Sequence, residues 1–335
     1  MKAVRLHAAN DLRVHEEDIP SPQPGESLIR IGAVGICGSD LLWFSEGEIG
    51  DAKLQRPLVL GHEFAGVIAE GPRKGLRVAV DPAIPCSECE TCRQGDPNLC
   101  PKTRFAGHGA EDGALREFIC WPDENIFPLP GALSLEDGAM LEPLGVAIHA
   151  VDLGKLKTGM HVGIFGAGPI GWLIQQLVNL AGAQAIFVTD ILRHRVEAAR
   201  DLGATQAILD RAGSSAQAIL NATEGRGLDV ALEVADGSSA VETACQALKP
   251  GGRLVLVGIP GDDRTCFPAS VARRKGLTIK LVRRMKHTYP RAIRLVENGQ
   301  VEMRSLITHR FSLEDAPAAF SVAARREGLK TIVIP

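Results

Sequence analysis

The sequence predicts an α/β protein, with a doubly wound parallel sheet in its second half joined to a mostly β domain in its first. Three observations carry that prediction. From about residue 145 apolar strands alternate with helical stretches, which implies a parallel sheet covered on both faces. The first strand-to-helix turn of that region reads FGAGPIGW, a glycine turn suited to a phosphate. Before residue 140 the chain is instead rich in Gly and Pro, with short β-type runs such as SLIRIGAVGI and LRVAV, which favours a loop-rich β domain.

Along the chain, HVGIF reads as a strand, PIGWLIQQLVNLAG as a helix and AIFVTD as a strand. RHRVEAARDLG is a helix closed by Gly203, QAILD a strand and SAQAILNATEG a helix. DVALEV, the helix SSAVETACQALKPGG, RLVLVG and LTIKLV bring the count to six strands, enough for a doubly wound sheet. The ending FSLEDAPAAFSVAARREGLKTIVIP supplies a helix and a last strand, which either closes this sheet or returns to the first domain. A chain of 335 residues, 45% apolar, can fill two cores. Its net charge of −3 gives no bulk attraction to nucleic acid or to a membrane. The opening MKAVRLHAAND lacks the apolar segment of a secretory signal, and no run of eighteen apolar residues occurs. A cytoplasmic protein without nucleic-acid or membrane partners is expected.

In a reducing compartment, clustered cysteines are metal ligands rather than disulfides. The stretch PCSECETCRQGDPNLC places Cys86, Cys89, Cys92 and Cys100 in the pattern C-x2-C-x2-C-x7-C. Four thiolates around a tetrahedral zinc ion leave no open position, the mark of a structural site. A nucleic-acid-binding zinc ribbon is disfavoured, because Glu88, Glu90 and Asp96 stand there beside only Arg93.

In the glycine turn, Gly166, Gly168 and Gly171 form G-x-G-x-x-G, with Pro169 and Ile170 between the last two. The first permits the tight turn, the second lets the backbone approach a pyrophosphate, and the third lets helix and strand pack closely. Backbone N–H groups at the helix start then face the negative charge. The next strand ends in Asp190, at the distance where a carboxylate takes ribose hydroxyls and repels a 2′-phosphate. This favours NAD over NADP, although Arg193 and Arg195 follow closely. Arg195 and, where RLVLVG ends, Val257, Gly258 and Ile259 complete the expected cofactor set.

Earlier in the chain, GICGSD and VLGHEFAG contribute Cys37, His62 and Glu63, with Ser39 and Asp40 just after the cysteine. A thiolate and an imidazole from separate segments could hold a zinc ion whose other positions take a carboxylate and water. Isolated cysteines and His-Glu pairs are also commonly structural, so spacing alone leaves both readings open.

The ordered set GICGSD, GHEFAG, the four-cysteine lobe, LEPLGVAIHA and FGAGPIG with Asp190 resembles the medium-chain, zinc-dependent alcohol dehydrogenase superfamily over essentially the whole chain. Within it the sequence is most similar to the polyol (sorbitol-type) dehydrogenases. In LEPLGVAIHA, Glu142 stands where typical alcohol dehydrogenases carry a second zinc cysteine, and RRMKHTYP resembles the polyol enzymes' substrate-binding stretch. The resemblance implies a GroES-like catalytic domain from residues 1–145 and 283–335, with a Rossmann domain, 146–282, inserted. It also implies one catalytic and one structural zinc per chain. Cys37 and His62 would be ligands of the catalytic zinc and Glu63 its carboxylate ligand. Glu142 would lie beside the metal, binding directly or through water.

Other positions follow from the same resemblance. Ser39 matches the hydroxyl that passes the alcohol's proton outward; many alcohol dehydrogenases end that relay in a histidine, and Leu42 falls near its place here. Trp43 and Phe105 are candidates for the substrate pocket wall. Arg284 matches an arginine that contacts substrate hydroxyls, and Met285 replaces the adjacent tyrosine, which removes a hydroxyl. The cluster Arg283, Arg284, Lys286 and His287 reads as a solvated face, a polyol contact or a site for a phosphorylated or acidic sugar. His108, His149 and His161 carry no ligand spacing and are expected to be structural or exposed. Cys120, Cys245 and Cys266 are expected to be small buried side chains.

The activity implied is hydride transfer from a secondary hydroxyl of a polyol or sugar derivative to NAD, by a homotetramer or homodimer. Alternatives are enzymes acting on vicinal diols, threonine or sugar-alcohol phosphates. A non-catalytic dinucleotide-binding module is the alternative of a different kind, and it would be expected to lack the catalytic zinc ligands.

Overall fold

Glu26–Gly35, an apolar run buried at most of its inner positions, is the strand on which the first half of the chain is built. Glu63–Ile68 pairs antiparallel along one of its edges, and Phe118–Pro122 and Lys330–Ile334 share the other. Outward from these lie Arg77–Val80 and Ile126–Pro128 on one side and Ile307–Ser312 on the other. Trp43, Trp121, Phe64 and Phe320 fill the interior beneath this sheet, each fully buried. The question the sequence leaves about the last strand is thereby decided: it returns to this sheet, with Ile332 opposite Gly35 and Val333 opposite Val34.

The computed structural model describes residues 1–211, 213–235 and 237–335. It divides into two compact units, one of Met1–Gly145 with Lys286–Pro335 and one of Val146–Met285. Among the described residues, no helix is long and apolar enough to cross a membrane.

The second unit holds six parallel strands, in the order Gln206–Leu209, Ala185–Asp190, His161–Phe165, Leu228–Glu233, Leu248–Leu256 and Thr278–Leu281. This is the doubly wound sheet that the alternating pattern predicts. Leu228–Glu233 is buried at every position, as a strand covered on both faces must be. Strand order reverses between His161–Phe165 and Leu228–Glu233, so the glycine turn that follows Phe165 opens at the switch point where such sheets bind ligands. The widest departure from the expected boundaries falls at one helix end. The helix Ser238–Ala247 ends five residues early and the next strand starts at Leu248. Pro250 explains it, since the residue before a proline is disfavoured in α conformation. Lys275 then seals the helix end, its Nζ donating to the carbonyls of Cys245, Gln246 and Leu248 at 3.1, 2.7 and 2.6 Å.

Candidate active site and metal centres

Cys37 leaves the central strand and caps the helix Gly38–Glu46, whose third residue is Asp40. Asp40 is 1% exposed, and its carboxylate gathers three donors. It accepts from the backbone N–H of Cys37 at 2.9 Å and of Gly61 at 3.2 Å, and it lies 3.3 Å from Nδ1 of His62. That contact places the proton of a neutral His62 on Nδ1 and leaves Nε2 as the lone-pair donor. Glu63 begins the next strand opposite Gly35, and its buried carboxylate pairs with Lys330, whose Nζ also donates to the Ile36 carbonyl at 2.9 Å.

Donor atoms of Cys37, His62 and Glu63 all lie within 4.8 Å of one another. Glu142 is buried nearby but outside that set. Burial pushes the Glu142 carboxyl up to about 8, with the charge of Glu63 adding to the effect and that of His62 opposing it. Burial opposes charge on His62 as well, but Asp40 and Cys37 outweigh it and hold the imidazole well above its ordinary value. Burial likewise opposes the charge on Lys330, and Glu63 and Cys37 overcome it.

The donor chemistry and charge of the set test whether the residues fit a metal ion. With a metal bound, a Cys37 thiolate and the Asp40 and Glu63 carboxylates would make three negative groups beside the buried Lys330 cation. One divalent ion closes that deficit, with His62 and Glu142 neutral. A soft sulfur, an imidazole and a carboxylate are donor types that a catalytic zinc ion takes, with water in its fourth position. The residues fit.

The second set lies in the loop around the short helix Glu90–Arg93, capped by Cys89. Sulfur atoms of Cys86, Cys89, Cys92 and Cys100 all lie within 4.8 Å of one another, and all four thiols are free. Hydrogen bonds from Thr91 and Cys92 bring Cys89 down to about 6, while burial and the neighbouring Cys89 push Cys92 up to about 12. Thiols that compete for protons in this way suit a zinc ion that displaces all of them.

In the other unit, Gly166 opens the turn at φ +114°, and a Cβ on Gly171 would stand 2.0 Å from the Gly166 carbonyl oxygen. Gly168 caps the helix Pro169–Leu180, whose first turn holds Pro169 and Ile170. Asp190 accepts from the backbone N–H groups of Ala167 and Leu192, each at 2.8 Å, one on each carboxylate oxygen. It therefore shapes the glycine turn and keeps a lone pair on each oxygen for further donors. Arg195 approaches the turn, its Nη1 lying 3.3 Å from where a Gly168 Cβ would be. Val257 and Gly258 donate to the Glu233 carbonyl at 2.8 and 3.2 Å, and Ile259 beyond them is half exposed. A Cβ on Gly258 would meet the Ala235 carbonyl oxygen at 1.6 Å, so only glycine fits.

The remaining expected residues divide. Ser39 stands on the first turn of the helix that Cys37 caps. Phe105 packs on the His62 ring, with centroids 5.2 Å apart. Trp43 is 1% exposed, so it lies behind the surface and does not line it. Arg284 and Met285 fall in the unit Val146–Met285, where Arg284 adopts φ +55° and Met285 is buried. Lys286 leaves the basic cluster by pairing with Asp96 of the cysteine lobe at 2.5 Å. Cys266 is exposed, contrary to expectation, because it lies in the irregular stretch before the helix Ala269–Lys275. Sequence reasoning missed the roles of Asp40 and Lys330. For Asp40 the spacing Cys-x-x-Asp across a helix start was a usable signal; for Lys330 there was none.

Residues 23–131 match the family model described as the alcohol dehydrogenase GroES-like domain, and residues 169–298 match that of the zinc-binding dehydrogenases. The chain is 35% identical to a sorbitol dehydrogenase of Bacillus subtilis (strain 168), covering 100% of this chain and 97% of the relative. The structure of galactitol-1-phosphate dehydrogenase from Escherichia coli superposes with a TM-score of 0.89 at 30% identity, covering 100% of both chains. A zinc-binding dehydrogenase of Sinorhizobium meliloti 1021, solved bound to NADP, superposes with a TM-score of 0.91 at 31% identity, covering 100% of this chain and 99% of that one. The chain belongs to the medium-chain, zinc-dependent alcohol dehydrogenase superfamily. It is an oxidoreductase of that family, with the GroES-like and Rossmann-type architecture that the sequence motifs predict.

Proposed function

We propose that the chain is a zinc-dependent polyol dehydrogenase, moving a hydride between a secondary hydroxyl of a polyol or sugar derivative and NAD. The observation that carries this reading is the convergence of Cys37, His62 and Glu63 donors within 4.8 Å, backed by a buried Asp40. Similarity to a sorbitol dehydrogenase and to a galactitol-1-phosphate dehydrogenase supports the substrate class.

Cys37, His62 and Glu63 would hold the catalytic zinc, and the four lobe cysteines a structural one. A zinc ion in the first set supplies a Lewis acid that acidifies a substrate hydroxyl, and the nicotinamide supplies the hydride acceptor. Asp40 fixes the His62 ring and would leave Nε2 to bind the metal. Lys330 offsets the Glu63 charge, and a divalent ion would offset those of Cys37 and Asp40. The Ser39 hydroxyl, on the first turn of the helix that Cys37 caps, would take the substrate proton outward. Asp190 accepts from ribose hydroxyls, and its charge disfavours a 2′-phosphate, which supports NAD over NADP. Arg195 near Gly168 is the side chain through which NADP would be accommodated instead.

The test is a panel of polyols, vicinal diols, threonine, sugar acids and phosphorylated polyols, followed by NADH absorbance and repeated with NADP. Preference for an unphosphorylated polyol with NAD is expected, with about two zinc ions per chain. No turnover of any polyol, with zinc confined to the cysteine lobe, would leave a non-catalytic dinucleotide-binding module. Size-exclusion chromatography is expected to give a homotetramer or homodimer.

A further inference from the structure

Gly35 ends the central strand, and its backbone makes no demand for glycine, since its φ is not positive. A glycine in a strand weakens it and often marks the close approach of another group. Here that group is the Glu63 carboxylate. A Cβ on Gly35 would stand 2.1 Å from Oε2 of Glu63, 2.8 Å from Cε of Met140 and 3.1 Å from Cε of Lys330. Side chains alone fill the space, and two of them are the ion pair beneath the donor set. Gly66 on the neighbouring strand is a different case, because its Cβ would meet the Arg30 carbonyl oxygen at 2.3 Å.

Strand register explains the approach. Gly35 lies opposite Glu63 on one side and Ile332 on the other. Residues paired across antiparallel strands share a face, and Lys330, two before Ile332, shares it too. A carboxylate and an ammonium group thus meet over the one position of the three that has no side chain. The surroundings have little room to give, because Glu63, Met140 and Lys330 are all buried. Lys330 is also anchored by its bond to the Ile36 carbonyl at 2.9 Å. Three consecutive residues therefore serve one centre: Gly35 makes room for Glu63, Ile36 holds Lys330, and Cys37 supplies the sulfur. All of these residues belong to the unit of Met1–Gly145 with Lys286–Pro335.

We infer that Gly35 is a positioning residue of the zinc centre, its missing side chain being the space that keeps the Glu63 carboxylate beside Lys330 and within reach of a metal shared with Cys37 and His62. The inference rests on the zinc reading given above. A contact of 2.1 Å is about 0.9 Å inside the 3.0 Å that a Cβ keeps from its neighbours, so any side chain at position 35 must push the carboxylate away by about that much. A zinc–ligand distance tolerates about 0.2 Å. A displacement several times larger takes the Glu63 oxygen out of the coordination shell, and alanine is enough to cause it.

The test compares the unaltered protein with Gly35→Ala, Glu63→Ala and the double variant. Each is equilibrated in zinc buffered by a chelator, and zinc per chain is counted by elemental analysis, with the cysteine lobe as internal reference. Gly35→Ala is expected to weaken zinc binding at the first site about ten- to hundredfold while the lobe keeps its ion. In the Glu63→Ala background the same substitution should cost no more than about twofold, because the carboxylate that it displaces is gone. A glycine that merely shapes the strand would disturb Cys37 or His62 and cost the same factor in both backgrounds. That result, or unchanged zinc affinity in Gly35→Ala, would overturn the inference. Should Gly35→Ala fail to fold, the double variant is expected to fold, since the nearest obstructing atom has been removed; its failure as well would overturn the inference. A Glu63→Ala protein that binds zinc as tightly as the unaltered one would instead remove Glu63 from the donor set and overturn the reading of the site itself.

Discussion

Lys330→Met isolates the buried ion pair beneath the donor set. Lys330 is 4% exposed and Glu63 1%, and methionine keeps the length of the stem while removing the charge. Taking one partner from a buried pair leaves an uncompensated charge, a loss of about 3–5 kcal/mol. The bond to the Ile36 carbonyl goes with it. Urea unfolding in a metal chelator exposes the whole effect, because a divalent ion at Cys37, His62 and Glu63 would take over part of the compensation. A Trp172→Phe background leaves Trp43 and Trp121, both in the unit that contains the pair, to report the transition by fluorescence. The double variant Lys330→Met/Glu63→Gln should lose less than the two single losses combined, by about 2 kcal/mol or more. A Lys330→Met loss below about 1 kcal/mol would refute the assignment of that buried pair. A loss that is the same with and without added zinc would remove Glu63 from the donor set.

Cys37→Ala and Cys92→Ala should each remove one of about two zinc ions per chain by elemental analysis, the first abolishing activity and the second lowering Tm. Gly258→Ala must displace the Ala235 carbonyl that its Cβ would meet at 1.6 Å, so NADH affinity by fluorescence titration should fall at least about tenfold. Asp229 binds Arg226 at 2.8 Å, Lys249 at 2.5 Å and the His161 N–H at 2.8 Å. Burial alone would raise its carboxyl, but these partners hold it well below the usual carboxylate range. Its stabilisation is therefore complete above the unfolded value near about pH 4 and is lost as pH falls toward the folded one. Asp229→Asn should cost about 1.5–3 kcal/mol at pH 7 and flatten the acid limb of the stability profile.

The parallel sheet was readable because each of its strands announces itself locally, as a short apolar run between helical stretches. QAILD and LTIKLV, its two edge strands, are as clear in sequence as the buried DVALEV. The first unit was less readable. Its strands pair across long separations, as when Lys330–Ile334 joins Glu26–Gly35, and no local pattern encodes such a partner. The sequence pattern alone therefore left the last strand's destination open, and resemblance alone indicated it. The helix end at Ala247 was missed for a smaller reason: the expected helix runs on through KPGG, whereas the proline in that stretch already forbids it to continue.

The site divides along the same line. Cys37, His62, Glu63 and the four lobe cysteines sit in short motifs, because a ligand pair from one turn or strand start is geometrically constrained by its spacing. The groups that support the first set are not all so constrained. Asp40 is local to Cys37, and its capping role could have been read from the helix start. Lys330 comes into place only because Ile332 lies opposite Gly35 and Gly35 lies opposite Glu63, so two strand registers, the first joining residues 297 apart in numbering, must both be right. A slip of one residue in the last strand would turn Lys330 to the other face of the sheet and leave the Glu63 carboxylate buried without its cation. The last strand's register is therefore under electrostatic as well as hydrophobic control. Within the sheet, the charge requirement of the proposed metal site helps to specify the fold that carries it.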